Sequence, residues 1–171
     1  MKKFLIIEAV ILAFAVNATA LLITGFDNGD SFGYGTWTSN PKDKAFTIVG
    51  VKDPKTKVGK SGASYKIIYN VDSKNPGYVG FFVDLSTVNL NRFSKLSFWI
   101  KGDNKLGYPK NVMVVFRAGS KMIPVTDDWR KIEINLEELN KRGEQELDFL
   151  IDNGWADVKT GAIYIDNIEL F

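Results

Sequence analysis

Alternation of apolar and polar residues in short runs is the feature that most restricts what this chain can fold into. The segments AFTIVGV, SYKIIYNV, YVGFFVDL, KLSFWIKG, NVMVVFRA, WRKIEINL, LDFLI and AIYIDNIEL carry it, with many β-branched and aromatic residues. A period of two belongs to strands. Turn-forming stretches separate the runs: KDPKTKVGKSG, DSKNPG, GDNKLGYPKN, VTDD and DNGWADVKTG. LEELNKRG alone reads as helical, about two turns long and stopped by Gly143. About eight strands without a βαβ rhythm predict an all-β fold, a β-sandwich of the jelly-roll kind with one short helix.

The same alternation sorts the faces. In SYKIIYNV, Tyr65, Ile67, Tyr69 and Val71 share one side, and Lys66 and Asn70 the other. In KLSFWIKG, Leu96, Phe98 and Ile100 oppose Ser97, Trp99 and Lys101. In WRKIEINL, Ile132, Ile134 and Leu136 oppose Lys131, Glu133 and Asn135. Each sheet therefore has one dry face and one wetter face. Trp99 and Trp129 fall outside the apolar sets of their strands.

The last run holds a contradiction. Ile163, Ile165, Ile168 and Leu170 form its apolar set, yet Asp166 and Asn167 sit in the middle. A buried carboxylate needs a partner. A metal ion would serve, and so would the N–H groups of a loop.

Residues 1–20 stand apart from the fold. MKK is a basic start, FLIIEAVILAFAV an apolar stretch and ATA a small-residue cleavage pattern, the features of a secretory signal peptide. Glu8 interrupts the stretch, which is short for a bilayer; a retained membrane anchor is the alternative. The expected division is 1–20 as signal peptide and 21–171 as a single domain, secreted, periplasmic or at the cell surface. No other segment is apolar for long enough to span a membrane.

Composition then narrows the chemistry. Without Lys2, Lys3 and Glu8, the 22 basic and 20 acidic residues become 20 and 19. Such a balance argues against a nucleic-acid partner, which calls for a basic stripe. The chain has no cysteine and no histidine. That removes disulfides, zinc sites of the usual kinds and histidine-based nucleophile activation.

Five motifs occur in order: ITGFDNGD followed by Trp37, then GKSGASYKIIYNV, VDLSTVNLNRFSKLSFWIKGD, DDWRKIEINLEEL and GAIYIDNIEL. Together they resemble the jelly-roll carbohydrate-binding modules of the galactose-binding-domain-like superfamily, especially those appended to glucanases and similar secreted bacterial hydrolases. The resemblance covers nearly all of residues 21–171. The same fold also serves protein-binding and assembly domains. The resemblance implies a structural calcium ion between the acid of the final strand, Asp166, and an acid of the first, Asp27, where relatives often carry Glu. Backbone carbonyls of the loop GKSG, around Lys60 and Ser61, would complete the shell. Calcium takes about six to eight oxygens from carboxylates and carbonyls.

A sugar-binding surface needs aromatic faces for pyranose rings and polar groups for hydroxyls. Aromatics make up 13% of the chain, with four Trp and six Tyr, enough to build one. The outward candidates are Trp99 and Lys101 on one strand, Arg117 on a later one, and Tyr78. The loop candidates are Tyr34, Tyr108 and Trp155. Trp99 has an architectural alternative, because LSFWIKGD recurs across the resembling fold whatever the ligand; Trp37 and Trp129 are read as structural for the same reason.

The carboxylates do not argue for a hydrolase. Asp127 and Asp128 read as a turn, Glu137 and Glu138 as a helix start, and Glu144, Glu146 and Asp148 as a polar connection. The expectation is a noncatalytic module that binds a polysaccharide, a glucan or a related one, on a sheet face. Its companion would be a secreted hydrolase or a surface protein. The alternative is a protein-interaction or assembly β-sandwich at the cell surface that binds no sugar.

Overall fold

The computed structural model describes residues 20–27, 32–116, 119–139 and 146–171. Arg117 and residues 1–19 of the expected leader therefore lie outside the described residues. The period-two runs form β1 (Leu21–Thr24), β2 (Tyr34–Thr38), β3 (Phe46–Asp53), β4 (Ser64–Val71), β5 (Tyr78–Asp84), β6 (Lys95–Gly102), β7 (Asn111–Phe116), β8 (Gly119–Pro124), β9 (Arg130–Asn135), β10 (Glu146–Asp152) and β11 (Thr160–Leu170). These exceed the expected eight by β1, β2 and β8. β1 is four residues long, and β2 and β8 are rich in Gly, Thr, Ser and Lys, so none shows a clean alternation.

The strands make two antiparallel sheets. One runs β3-β4-β11-β6-β9, with β1 also paired to β11; the other runs β2-β5-β10-β7-β8. No helix among the described residues is long and apolar enough to cross a membrane. The expected two-turn helix is a single 3-10 turn over Leu136–Leu139, and the rest of that segment lies outside the described residues. A second 3-10 turn, Leu90–Arg92, is capped by the Asn89 side chain.

The dry faces meet between the sheets. Ile67, Tyr69, Val71, Phe98, Ile100, Ile163 and Ile165 of the first sheet are almost fully buried against Val79, Phe81, Val83, Val112, Val114 and Phe149 of the second. Burying one such side chain stabilises the fold by about 1.5–3 kcal/mol. Phe98 meets Phe149 edge-on across the gap, with ring centroids 4.9 Å apart. At one end Phe26 stacks on Tyr65 at 5.2 Å, and Tyr34 meets Tyr65 edge-on at 5.1 Å. Tyr34 opens β2 and packs against the core, rather than standing in a loop.

The contradiction in the last run resolves as a bulge. The apolar positions of β11 switch from odd (Ile163, Ile165) to even (Ile168, Leu170), which one extra residue would cause. The pairing of β11 with β6 does shift register between Asp166 and Glu169. Asn167 takes φ 45° there, a left-handed conformation that Asn tolerates better than most residues. Asp166 faces away from the core interior yet is only 2% exposed.

Candidate functional site

The outer face of the second sheet carries two glycine–aromatic cross-strand pairs. Trp37 on β2 stands opposite Gly80 on β5, and Gly35 opposite Phe82. A Cβ on Gly80 would lie 2.7 Å from the Trp37 Nε1, and one on Gly35 would lie 2.8 Å from Phe82 Cε1. Each ring therefore lies across the backbone of the neighbouring strand, in space that only a glycine leaves open. The Trp37 indole donates from Nε1 to Asp148 Oδ1 on β10 at 3.1 Å. Tyr78, at the start of β5, meets Trp37 edge-on at 5.4 Å with an interplanar angle of 83°.

The face continues in register. Leu150, Met113 and Met122 extend the row of Gly80, while Asp148, Val115 and Ser120 extend the row of Phe82. Asp152 stands opposite Tyr78. The result is a half-exposed aromatic surface at β2 and β5 with two carboxylates beside it. Such a surface can take the C–H face of a sugar ring while carboxylates accept its hydroxyls.

Of the candidates read from the sequence, Tyr78 alone among the described residues stands on this face. Arg117 lies outside them. Trp99 and Lys101 are on the outer face of the other sheet, where Trp99 sits between Asp166 and Lys131, and Lys101 opposite Tyr164. Tyr108 and Trp155 are half-buried in loops and pack against the core. The Tyr108 ring lies over Gly102, where a Cβ would fall 2.1 Å from its Cγ. The face also holds Trp37, Phe82 and Asp148, which are not among those candidates: in the sequence Trp37 reads as structural, and Asp148 as part of a polar connection although it lies within β10. The signal was the pair YGTW and YVGFF, which place each aromatic opposite a glycine once the register is known.

Asp27 lies three residues past the end of β1, not on it, and close enough to Asp166 of β11 for its charge to act there. Asp166 Oδ2 accepts from the Val58 N–H at 2.7 Å, and Oδ1 accepts from its neighbour Asn167 N–H at 2.8 Å. Burial pushes the Asp166 carboxyl up and the charge of Asp27 adds to that, against the two N–H bonds and Lys57. Asp27 Oδ1 accepts from Ala63 N–H at 3.0 Å, and its carbonyl accepts from Lys52 Nζ at 2.7 Å. The loop holding Lys60, which is exposed, folds over Asp27: a Cβ on Gly62 would lie 2.3 Å from Asp27 Oδ1. Among the described residues no group of three acidic, His or Cys side chains gathers for a metal. The side chains here that could ligate a cation are two carboxylates, whose oxygens suit calcium better than a transition metal. A buried carboxylate pressed by a second one is the environment a cation would relieve.

No protein-family model matches the chain, and no curated protein matches it in sequence. Solved structures do match. The family 11 carbohydrate-binding module of a cellulosomal cellulase of Clostridium thermocellum superposes with a TM-score of 0.63 at 17% identity, over 90% of this chain and 94% of that one. The family 11 module from the same organism in complex with a β-1,3-1,4-mixed-linked tetrasaccharide gives 0.63 at 17% identity, over 89% and 95%. The cleaved adhesin domain of Lys-gingipain from Porphyromonas gingivalis gives 0.53 at 14% identity, over 90% and 98%. At such identities the likeness is one of fold, and the chain adopts the β-sandwich jelly roll of these carbohydrate-binding modules.

Proposed function

We propose that the chain is an exported, noncatalytic module that binds a polysaccharide on the outer face of the second sheet. The observation that carries this reading is the Trp37 indole, laid across Gly80, tied to Asp148 and flanked edge-on by Tyr78. A ring fixed in this way offers a preorganised stacking surface, so little conformational freedom is lost when a sugar docks. Asp148 and Asp152 serve as hydroxyl acceptors, not as an acid–base pair. Because a solved structure of this fold holds a mixed-linked β-glucan fragment, a mixed-linked β-glucan is the first ligand to test. Retardation in a native gel containing that glucan is expected for the wild type and lost in Trp37→Ala and Tyr78→Ala, with both variants still melting cooperatively. Full retardation of both variants rejects this face as the site.

A calcium ion held by Asp27, Asp166 and carbonyls near Lys60 and Ser61 belongs to the same proposal. When bound it would neutralise the two acids and tie β1 to β11, without touching the sugar face. An exported module of this kind would act beside a secreted hydrolase or on a surface protein.

A second reading has its own observation. Val49, Val51 and Ile68 are exposed on the outer face of the first sheet, at or next to its edge strand β3. Val49 and Ile68 are in register, so the three form one apolar patch. A protein-interaction domain would use such an edge. Recovery of a defined protein partner, with no retardation on glucans, xylans or mannans, would favour it.

A further inference from the structure

A separate cavity opens on the outer face of the first sheet, on the opposite side of the sandwich from Trp37. Three residues in one cross-strand row form its wall: Lys66 on β4, Tyr164 on β11 and Lys101 on β6. Gly102, Asp103, Asn104 and Lys105 complete it, with Thr56 at the rim, around about 310 Å³. That is the lower end of the range for small-ligand sites, roughly 300 Å³.

Among the described residues Asp103 is the only acid lining this cavity, and it has no acceptor capacity to spare. Its Oδ2 accepts from Lys66 Nζ at 2.7 Å and Tyr164 Oη at 2.8 Å. Its Oδ1 accepts from the backbone N–H groups of Lys105 at 2.9 Å and Leu106 at 3.2 Å. An ionised carboxylate offers about four acceptor sites, and all are taken. The donors are not exhausted. Lys66, bonded to Asp103 and to Tyr164, keeps one of its three N–H groups, and Lys101 and Lys105 have no acidic partner among the described residues. Three lysines thus line a cavity that holds one spent carboxylate. The Trp129 ring stands edge-on to Tyr164, centroids 6.4 Å apart, at the end of the row.

We propose that this cavity binds an anionic group, carboxylate or sulfate, carried on a sugar residue of an acidic polysaccharide. Thr56 and Asn104 can serve a neutral hydroxyl, but three lysines against one fully engaged carboxylate leave the lining with a net positive charge, which only an anion offsets. An oxyanion needs donors only, and positive charge besides. The cavity holds one ring-sized group and has an aromatic at its side, which favours a sugar over an acidic peptide. The site is independent of the face assigned above.

The test compares polymers with one backbone: dextran, carboxymethyl-dextran and dextran sulfate, in native gels and by calorimetry at low salt. Retardation is expected with one or both charged dextrans and not with dextran itself; whichever polymer binds better identifies carboxylate or sulfate. The double variant Lys101→Gln/Lys105→Gln should bind about fivefold more weakly, the scale of two exposed charge pairs. The double variant Lys42→Gln/Lys44→Gln, which removes the same charge elsewhere, should bind as the wild type does. The proposal is overturned by equal retardation on neutral dextran, by equal losses in the two lysine pairs, by unchanged binding in Lys101→Gln/Lys105→Gln, or by tighter binding of polyglutamate than of either charged dextran.

Discussion

The Trp37 indole N–H and the Asp148 carboxylate bond to each other at 3.1 Å across β5, the strand between their own. They lie 111 residues apart in the chain. The contact exists because Gly80, between them on the face, has no side chain to lift the ring. One absent Cβ thus converts a tryptophan into a flat platform and points its polar edge at an acid.

Gly80→Ala should therefore damage the platform without removing any of its functional groups. The new methyl would meet Trp37 Nε1 at 2.7 Å and Leu150 Cδ2 at 2.8 Å, so the indole must tilt and the bond to Asp148 break. Overpacking of this kind costs about 1–3 kcal/mol. The expected result is lost retardation on mixed-linked β-glucan, with a lowered but cooperative melting transition. Unchanged glucan binding would show that the flat ring is not the sugar platform.

Periodicity alone reveals which residues of a strand face the core, because that depends only on neighbours in sequence. Tyr65, Ile67, Tyr69, Leu96, Phe98 and Ile100 are all buried as the alternation implies. It cannot tell which of two outer faces a residue joins. Trp99 and Tyr78 both read as outward, yet β6 and β5 belong to different sheets, so the two stand on opposite sides of the molecule. The Trp37 platform is harder still to read, since it depends on a register between β2 and β5 and on a partner in β10. Asp27 and Asp166 were legible as a pair only through the resemblance to known modules. The bulge beside them was written in the parity switch of β11.

The two neighbours Phe98 and Trp99 should separate core from surface. Phe98 is fully buried between the sheets, whereas Trp99 is half-exposed on the outer face. Phe98→Ala should cost about 3–5 kcal/mol, with a cavity left behind. Trp99→Ala should cost less, about 1–2 kcal/mol of lost apolar contact. Urea unfolding curves of the two variants measure this. A larger loss for Trp99 would give it the architectural role its motif suggests.

Asp103 should govern acid stability on the first sheet. Burial opposes its ionisation, but Lys66, Tyr164 and two backbone N–H groups outweigh that and hold the carboxyl below the usual range. A depressed carboxyl contributes stability above its unfolded pKa of roughly 3.9 and loses it as pH falls toward the folded value. For Lys66, burial works against the charge, but the bonds to Asp103 and Tyr164 prevail and its pKa is raised. That contribution is present at neutral pH and lost only as pH rises beyond the ordinary lysine range. Asp103→Asn should thus cost about 1–3 kcal/mol at pH 7. The gap to wild type should shrink below pH 4, as urea midpoints across a pH series will report. A gap that stays constant would remove the ion pair from the account.

Asp166 should behave in the opposite sense, and calcium should reverse it. Burial foremost, then the charge of Asp27, raises its carboxyl above the ordinary range. A raised carboxyl penalises the fold at neutral pH, where it must be ionised, and the penalty fades as pH falls toward the unfolded pKa of roughly 3.9. In EDTA, this group alone makes the wild type gain stability from pH 7 to about pH 4.5, relative to Asp166→Asn, which has no such titration. With calcium the ionised form is the one bound. An ion at about 100 times its Kd stabilises the fold by ~2.7 kcal/mol at pH 7, and acid then weakens that gain by protonating the ligand. Melting temperatures of both proteins, with EDTA and with calcium, at the two pH values give the comparison. A wild type whose melting ignores calcium at pH 7 would leave Asp166 as a hydrogen-bonded strand acid, held by Val58 and Asn167 alone.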